Sequence, residues 1–204
     1  MSKANNLLSF TVASLRLNET IKIAQFEIEH GLNNYKEIKD ADVVFGGIKS
    51  LSFEKTFYQI RKRIETLTHD QKNILIYGDY MSQKQIAFLA FCKCYQLVKD
   101  FTIEVVREKI LMFNYQINES DFRLFILSKQ QQFPKLENYS ENTLNKARQV
   151  MFLVLEQAGI INNVRDKIIQ PQLIHTSVIK SVFDDDRSLL KIFLLSDSDI
   201  KNYS

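Results

Sequence analysis

Between residues 140 and 171 the chain reads as a capped helix, a stop and a polar loop, and this order constrains the fold more than any other stretch. Leu144, Ala147, Met151, Leu155 and Ala158 recur at steps of three and four residues, so a helix gathers them on one apolar face. Ser140 stands where its hydroxyl accepts a bond from an otherwise unpaired N–H of the first turn. Gly159 stands where a helix ends in left-handed backbone, which glycine tolerates. Ile160-Ile161 and Ile168-Ile169 flank the basic tip 162–167, and this pattern predicts one small β-hairpin. Helix, glycine stop and hairpin in this order predict a winged-helix-like element. Such a unit presents a polar helix face and a basic loop tip to nucleic acid. The same order also serves as a plain packing unit.

The remainder is predicted to be helical because little interrupts it. Five glycines and two prolines, Pro134 and Pro171, are few for 204 residues. Apolar residues make up 45%, enough to build a core in one domain or two small ones. The expected fold class is mainly α, a multi-helix protein with helix-turn-helix and winged-helix-like elements and one small β-hairpin. The expected division is 1–72, an N-terminal helical region with a helix-turn-helix-like motif, and 73–204, a helical core ending in the winged-helix-like region. A helix is predicted over 18–29 with Ile21, Ala24 and Ile28 on one face, and a short polar one over 34–41. After the Gly46-Gly47 turn, Ser52 is expected to cap a helix with Phe53, Phe57, Ile60, Ile64 and Leu67 as its buried stripe. Lys55, Thr56, Gln59, Lys62 and Arg63 fall on its remaining surface. Helix, glycine turn and polar, basic helix is the helix-turn-helix order. Residues 73–77 read as a short helix or extended piece. A long core helix capped by Ser82 follows, running to about residue 99. Further helices are expected over 101–112, 118–132, 172–183 and 186–195.

The formal net charge is only +3, so a surface for a polyanion has to be local. Basic residues outnumber acidic ones over 49–148, while the tail carries Asp184, Asp185, Asp186, Asp197 and Asp199. A nucleic-acid surface would use the body and avoid the tail. His30, His69 and His175 are scattered near predicted helix ends. No phosphate-cradling glycine loop, HExxH helix or GxSxG elbow is present. Asp184-Asp185-Asp186 precedes an apolar segment and reads as a helix cap rather than a cation site. Cys92 and Cys94, two apart on one helix, point away from each other, and no second pair completes a zinc site. No catalytic residue, metal or cofactor is expected, and the thiols read as reduced. The longest apolar stretches, 86–91 and 150–155, fall well short of the ~20 residues that span a bilayer. The N-terminus lacks a signal-peptide pattern, and the protein reads as soluble and cytoplasmic.

Three segments carry a family resemblance: LIYGDYMSQKQIAFLAFCKCYQLVKDFTIEVVREKIL, INESDFRLFI and LENYSENTLNKARQVMFLVLEQAGII. Together they resemble the BrxA family, small accessory proteins of BREX phage-defence systems. The Gly78-Asp79 step, the 101–111 segment and the 140–161 block are the matching landmarks. SLRLNETIKIAQF and SFEKTFYQIRKRI fit the family more loosely. The resemblance implies an all-helical protein with helix-turn-helix and winged-helix-like elements. It implies binding of double-stranded DNA beside other BREX proteins, in a system that distinguishes host from phage DNA. Members of the family have also been likened to RNA-binding antitermination proteins. The chain departs from the family pattern in having no tryptophan; Phe133, Leu136 and Tyr139 occupy the region around Pro134 where one is expected.

The expected reading is thus a non-enzymatic double-stranded DNA-binding protein. Lys49, Lys55, Thr56, Gln59, Lys62 and Arg63 are the expected contacts from the first motif. Asn142, Asn145, Lys146, Gln149, Arg165 and Lys167 are those from the second. Most would go to phosphates, which position a protein without reading sequence. One rival is a protein-interaction module that helps assemble the defence complex, using the acidic tail and aromatic residues such as Tyr58 and Tyr139. Another is RNA binding, which only the family analogy favours, because no RRM-type or KH-type motif is present.

Overall fold

Residues 7–31 and 51–203 are described by a computed structural model, and they form a mainly helical protein. The chain enters as an N-terminal strap containing a 3-10 turn, Ser9–Val12, whose Phe10 is fully buried. Helix α1, Leu17–His30, buries Thr20, Ile23 and Ala24; Ile28, expected on the inner face, is exposed. It stops at Gly31, which adopts a φ of 61° and donates its N–H to the Glu27 carbonyl. The expected short helix over 34–41 and the Gly46-Gly47 turn lie outside the described residues, and so does Lys49.

Helix α2 spans Leu51–Ile64 and buries Phe57, Ile60 and Ile64, with Leu67 buried just beyond it. The side chain of Phe53 lies outside the described residues. The helix starts one residue before Ser52, so that serine sits in the first turn instead of capping it. Helix α3, His69–Tyr77, begins with a reciprocal cap in which Thr68 and Gln71 each bind the other's backbone. Gly78 ends it in close quarters, since a Cβ there would stand 2.5 Å from the Ile74 carbonyl oxygen. Asp79 then caps α4, Tyr80–Cys94, by accepting from the N–H groups of Met81 and Ser82. Ser82 was the expected cap; its hydroxyl instead donates to the Asp79 carboxylate, and this bond holds that group below its usual pKa.

Helix α4 is the centre of the molecule. From Ile86 to Cys92 no side chain is more than 2% exposed. Burial pushes the Cys92 thiol far up in pKa, and both cysteines are free. The predicted long helix breaks at Tyr95, which is extended, and resumes as α5, Gln96–Phe101. A π-helical segment, Thr102–Arg107, follows, and then α6, Glu108–Leu111. Helix α7, Glu119–Lys129, is capped by Asn118 and Asp121. Phe101 packs between Phe122, Phe125 and Phe152, with ring centroids 5.2–6.2 Å apart.

A 3-10 turn, Pro134–Asn138, leads to α8, Glu141–Ala158. Around Pro134, Leu136 is buried and Phe133 and Tyr139 pack partly buried against the core. Ser140 caps α8 as its position predicts, accepting from the Thr143 N–H at 3.3 Å, and Gly159 ends it at φ 77°. Ala147, Met151, Leu155 and Ala158 are buried and Leu144 partly so. Helix α9, Thr176–Asp186, a 3-10 segment, Arg187–Phe193, and α10, Asp197–Asn202, complete the chain. Asp186 accepts from the Ser188 N–H at the start of that 3-10 segment.

The expected β-hairpin, and the winged helix built on it, do not form. The described residues show only isolated antiparallel bridges, Ile161 to Ile169 and Gln116 to Ile168. Two bonds join the arms, from the Asn162 N–H to the Ile168 carbonyl and from the Gln170 N–H to the Ile160 carbonyl, but a side chain interrupts the next. The Ile168 N–H goes to the Asn162 side chain, the Ile169 N–H goes to the Tyr115 carbonyl, and the Ile117 N–H takes the Lys167 carbonyl. Residues 160–162 and 115–117 thus share the 167–170 stretch, and neither builds a ladder with it. One cluster of buried side chains runs from Leu8 to Ile200.

Candidate nucleic-acid interface

The two sets of expected contact residues meet different fates. On α2, Lys55 is exposed and Lys62 half-buried, but Thr56 and Arg63 are 6% and 1% exposed. Arg63 does not lie on the outer face. Its Nη1 donates to the Ser14 carbonyl at 2.7 Å, Nη2 donates to the Ala13 carbonyl, and Nε reaches the Tyr95 hydroxyl at 3.2 Å. The guanidinium carbon stands 4.2 Å from the centroid of the Phe91 ring, a cation–π placement. Burial lowers the Arg63 pKa against the opposing pull of Tyr95, whose own pKa burial pushes up to about 12. The Tyr95 hydroxyl donates in turn to Gln59, at 2.8 Å, so this residue also turns partly inward.

Arg63 is therefore a strut that lashes the N-terminal strap to α2 and α4. Sequence spacing held a sign of this. Thr56, Ile60, Arg63 and Leu67 recur at helical steps of four, three and four, so Arg63 occupies a place in the buried stripe itself. What spacing lacks is the partner, because two backbone carbonyls about fifty residues earlier supply it.

On α8 the arrangement differs. Asn142, Lys146 and Gln149 are exposed along one face and Asn145 is half-buried beside them, opposite Ala147, Met151 and Leu155. The loop after Gly159 is shaped by Asn163, whose Oδ1 accepts from the N–H groups of Arg165 and Asp166 at 2.9 and 2.7 Å. Arg165 is exposed at its tip. Lys167 is half-buried in left-handed backbone, and its Nζ donates to the Arg165 carbonyl and lies 5.7 Å from the Phe152 ring centroid. That contact seats the tip beside the middle of α8. Helices α2 and α8 each pack on α4 and on the strap.

Other basic residues of the 49–148 stretch also work inside. Lys129, 7% exposed, bonds Asp100 at 2.9 Å and Glu104 at 2.5 Å; burial depresses its pKa, but these two carboxylates outweigh that and raise it. Arg107, 4% exposed, donates to the Leu195 carbonyl at 2.7 Å. The basic excess read from the sequence is thus smaller at the surface. Lys93 joins Asp185 at 2.7 Å, which removes that aspartate from any cation cluster. The histidines fall at helix ends as predicted: His30 ends α1, His69 begins α3, and His175 precedes α9 with Nδ1 3.5 Å from Asp79. Among the described residues no three His, Cys, Asp or Glu side chains gather as a metal site requires, and no helix is long and apolar enough to cross a membrane.

Comparison with known proteins gives the fold and the site a family. A BREX protein BrxA from Bacillus cereus (strain H3081.97) is 29% identical over 107 residues, 52% of this chain and 54% of that protein. A BREX protein BrxA from Escherichia coli O9:H4 (strain HS) is 26% identical over 111 residues, 54% of this chain and 52% of that one. The chain spans about half the length of these curated relatives. The crystal structure of an uncharacterized protein from Magnetospirillum magneticum shares the fold, with a TM-score of 0.79 at 19% identity, over 92% of this chain and 96% of that one. Residues 7–184 match the BrxA family model, and on that match, covering most of its length, the chain belongs to the BrxA family.

Proposed function

We propose that the chain is a non-enzymatic accessory protein of a BREX phage-defence system that binds double-stranded DNA. The observation that carries this reading is the outer face of α8. Asn142, Lys146 and Gln149 project from a helix whose opposite face is core, and Arg165 stands on the adjoining tip. Amides and cations on one rigid helix suit a phosphate backbone, with amides able to reach base edges. Lys55 and Lys62 on α2 supply a second, smaller set of cations. With Arg63 and Thr56 buried, the contacts are fewer than the sequence implied. Affinity is accordingly modest and salt-sensitive. Membership of the family supports a place beside other BREX proteins in the cytoplasm.

A second reading, an assembly module that contacts protein, is favoured by Tyr58, which is 63% exposed on α2. Tyr139 does not help it, being packed partly buried against the core. Mobility-shift titration of the full chain with duplex DNA, single-stranded DNA and RNA at several salt concentrations separates the readings. Duplex binding that falls steeply with salt supports the first. Preference for RNA supports the antitermination analogy, and no binding at low salt supports assembly.

A further inference from the structure

The surface around α7 has chemistry opposite to that of α8. The π-helical segment Thr102–Arg107 and α7 form the walls of an open groove of about 360 Å³. Its floor is apolar, made by Val105, Met112, Leu124 and Phe125. Met112 is 74% exposed and Leu124 61%, and Leu127, one turn further along α7, is 52% exposed. Scattered apolar residues on a surface are ordinary, but a contiguous group lining a groove marks a binding site. The backbone supplies an independent sign. π-helical turns are rare and concentrate at functional sites, and one forms this wall. Next to Met112, Phe113 holds left-handed backbone at φ 58°, strained for a side chain of its size, and leaves its ring 82% exposed.

The charges on the groove say what fits it. Glu104 and Glu108 stand on one wall with their side chains about half exposed. The one cation among the lining residues, Lys109, is neutralised by Asp121 at 2.9 Å. The cations that pair with the two glutamates lie behind them, inside the protein: Lys129, 7% exposed, holds Glu104, and Arg107, 4% exposed, holds Glu108 at 3.1 Å. The rim therefore presents these two carboxylates to solvent and keeps their partner cations buried, which suits a cationic occupant better than an anionic one. An apolar floor between two helical walls, under an acidic rim, matches a helix with an apolar stripe flanked by basic side chains. Helix α7 has eleven residues, about 16 Å, so the occupant is about three turns long.

We propose that this groove is a docking site for a basic amphipathic helix of a partner protein. None of Asn142, Lys146, Gln149 and Arg165 lines it.

The probe is a fluorescently labelled synthetic peptide of about twelve residues, three turns, with leucine along one face and lysine on the others. Its binding to the full chain is followed by anisotropy at physiological salt. Saturable binding is expected. Met112→Ser with Leu124→Ser should weaken it by at least about tenfold, the scale of losing central apolar anchors. Glu108→Gln should weaken it severalfold, and a peptide with glutamate in place of lysine should bind at least about tenfold less well. Leu173→Ser, at a residue 87% exposed elsewhere, should change nothing. Circular dichroism and unfolding midpoints should match wild type in the serine variants, whose altered side chains are exposed, and Glu108→Gln should stay folded because it keeps a side-chain oxygen to accept from Arg107. Absence of saturable binding overturns the proposal, as does equal binding by the double variant or by the glutamate peptide. Wild-type dimers in sedimentation that dissociate with Leu124→Ser also overturn it, because the occupant is then a second copy of this chain.

Discussion

Helices α2 and α8 show the same sequence pattern, an apolar stripe backed by polar and basic residues, yet Arg63 on α2 is 1% exposed while Lys146 on α8 lies in solvent. The difference comes from what each helix end meets. The last turns of α2 abut a strap that presents two bare carbonyls, and an arginine fork satisfies both while its face stacks on Phe91. The first turns of α8 meet no such segment, so their amides and cations remain outside. A basic residue near an apolar stripe is thus a surface group only where no orphaned carbonyl is in reach. Buried polar groups find partners because an unmade bond costs more than a made one gains.

Removing the strut should give the largest effect. Arg63→Ala leaves the Ala13 and Ser14 carbonyls unpaired, and denaturant unfolding should show a loss of about 3 kcal/mol or more, given about 1.5–3 kcal/mol for each hydrogen bond to a charged group. Arg63→Lys should recover only part, since an ammonium cannot span both carbonyls and the phenol. If Arg63→Ala unfolds like wild type but binds duplex DNA more weakly, the contrast between the two helices collapses.

On α8, Ala158→Asp buries an unpaired carboxylate on the inward stripe and adds negative charge at a helix C-terminus. Loss of more than about 2 kcal/mol is expected. An unchanged unfolding midpoint would mean that the inner face of α8 is misassigned. Ser140→Ala removes the cap bond to Thr143 and should cost about 1 kcal/mol, with Ser140→Gly costing less. No loss with Ser140→Ala would show that the cap contributes nothing.

The smallest effect on stability should come with the clearest effect on binding. Lys146→Ala and Arg165→Ala should each shift stability by less than about 0.5 kcal/mol. If α8 and the tip meet the phosphate backbone, each should also lower the slope of log affinity against log salt by about 1, alike on unrelated sequences. Lys55→Ala with Lys62→Ala, measured in the same assay, tests whether α2 shares that ligand. A change confined to the α8 pair leaves α2 as scaffold.

What the sequence made legible is what neighbours in the chain decide. The Ser140 cap, the Gly159 stop and the stripe between them need only residues a few positions apart. The mainly helical class follows from scarce breakers in the same way. The misses are of two kinds, rival partners nearby and partners far along the chain. Ser82 looked like a cap until Asp79, three residues earlier, took that place and bonded to it. The hairpin stopped short because the Asn162 side chain takes the Ile168 N–H, which a ladder would give to the Asn162 carbonyl. Arg63 looked exposed because its partners are Ala13, Ser14 and Tyr95. The groove beside α7 was invisible for the same reason: Met112 and Leu124 belong to one surface only once the chain has turned between them.

The strap also sets a schedule. Its seat is made by Arg63, Tyr95 and Gln157, the last of which accepts from the Leu15 N–H at 2.9 Å across 142 residues of chain. During synthesis at roughly 5–20 residues per second, Leu15 emerges about seven to thirty seconds before Gln157. Through that interval Phe10 and Leu15, fully sheltered in the finished protein, have nowhere to go. The first part of the described chain to be made is among the last to be fastened, and a nascent chain with its leading apolar residues bare is the form that chaperones and proteases meet.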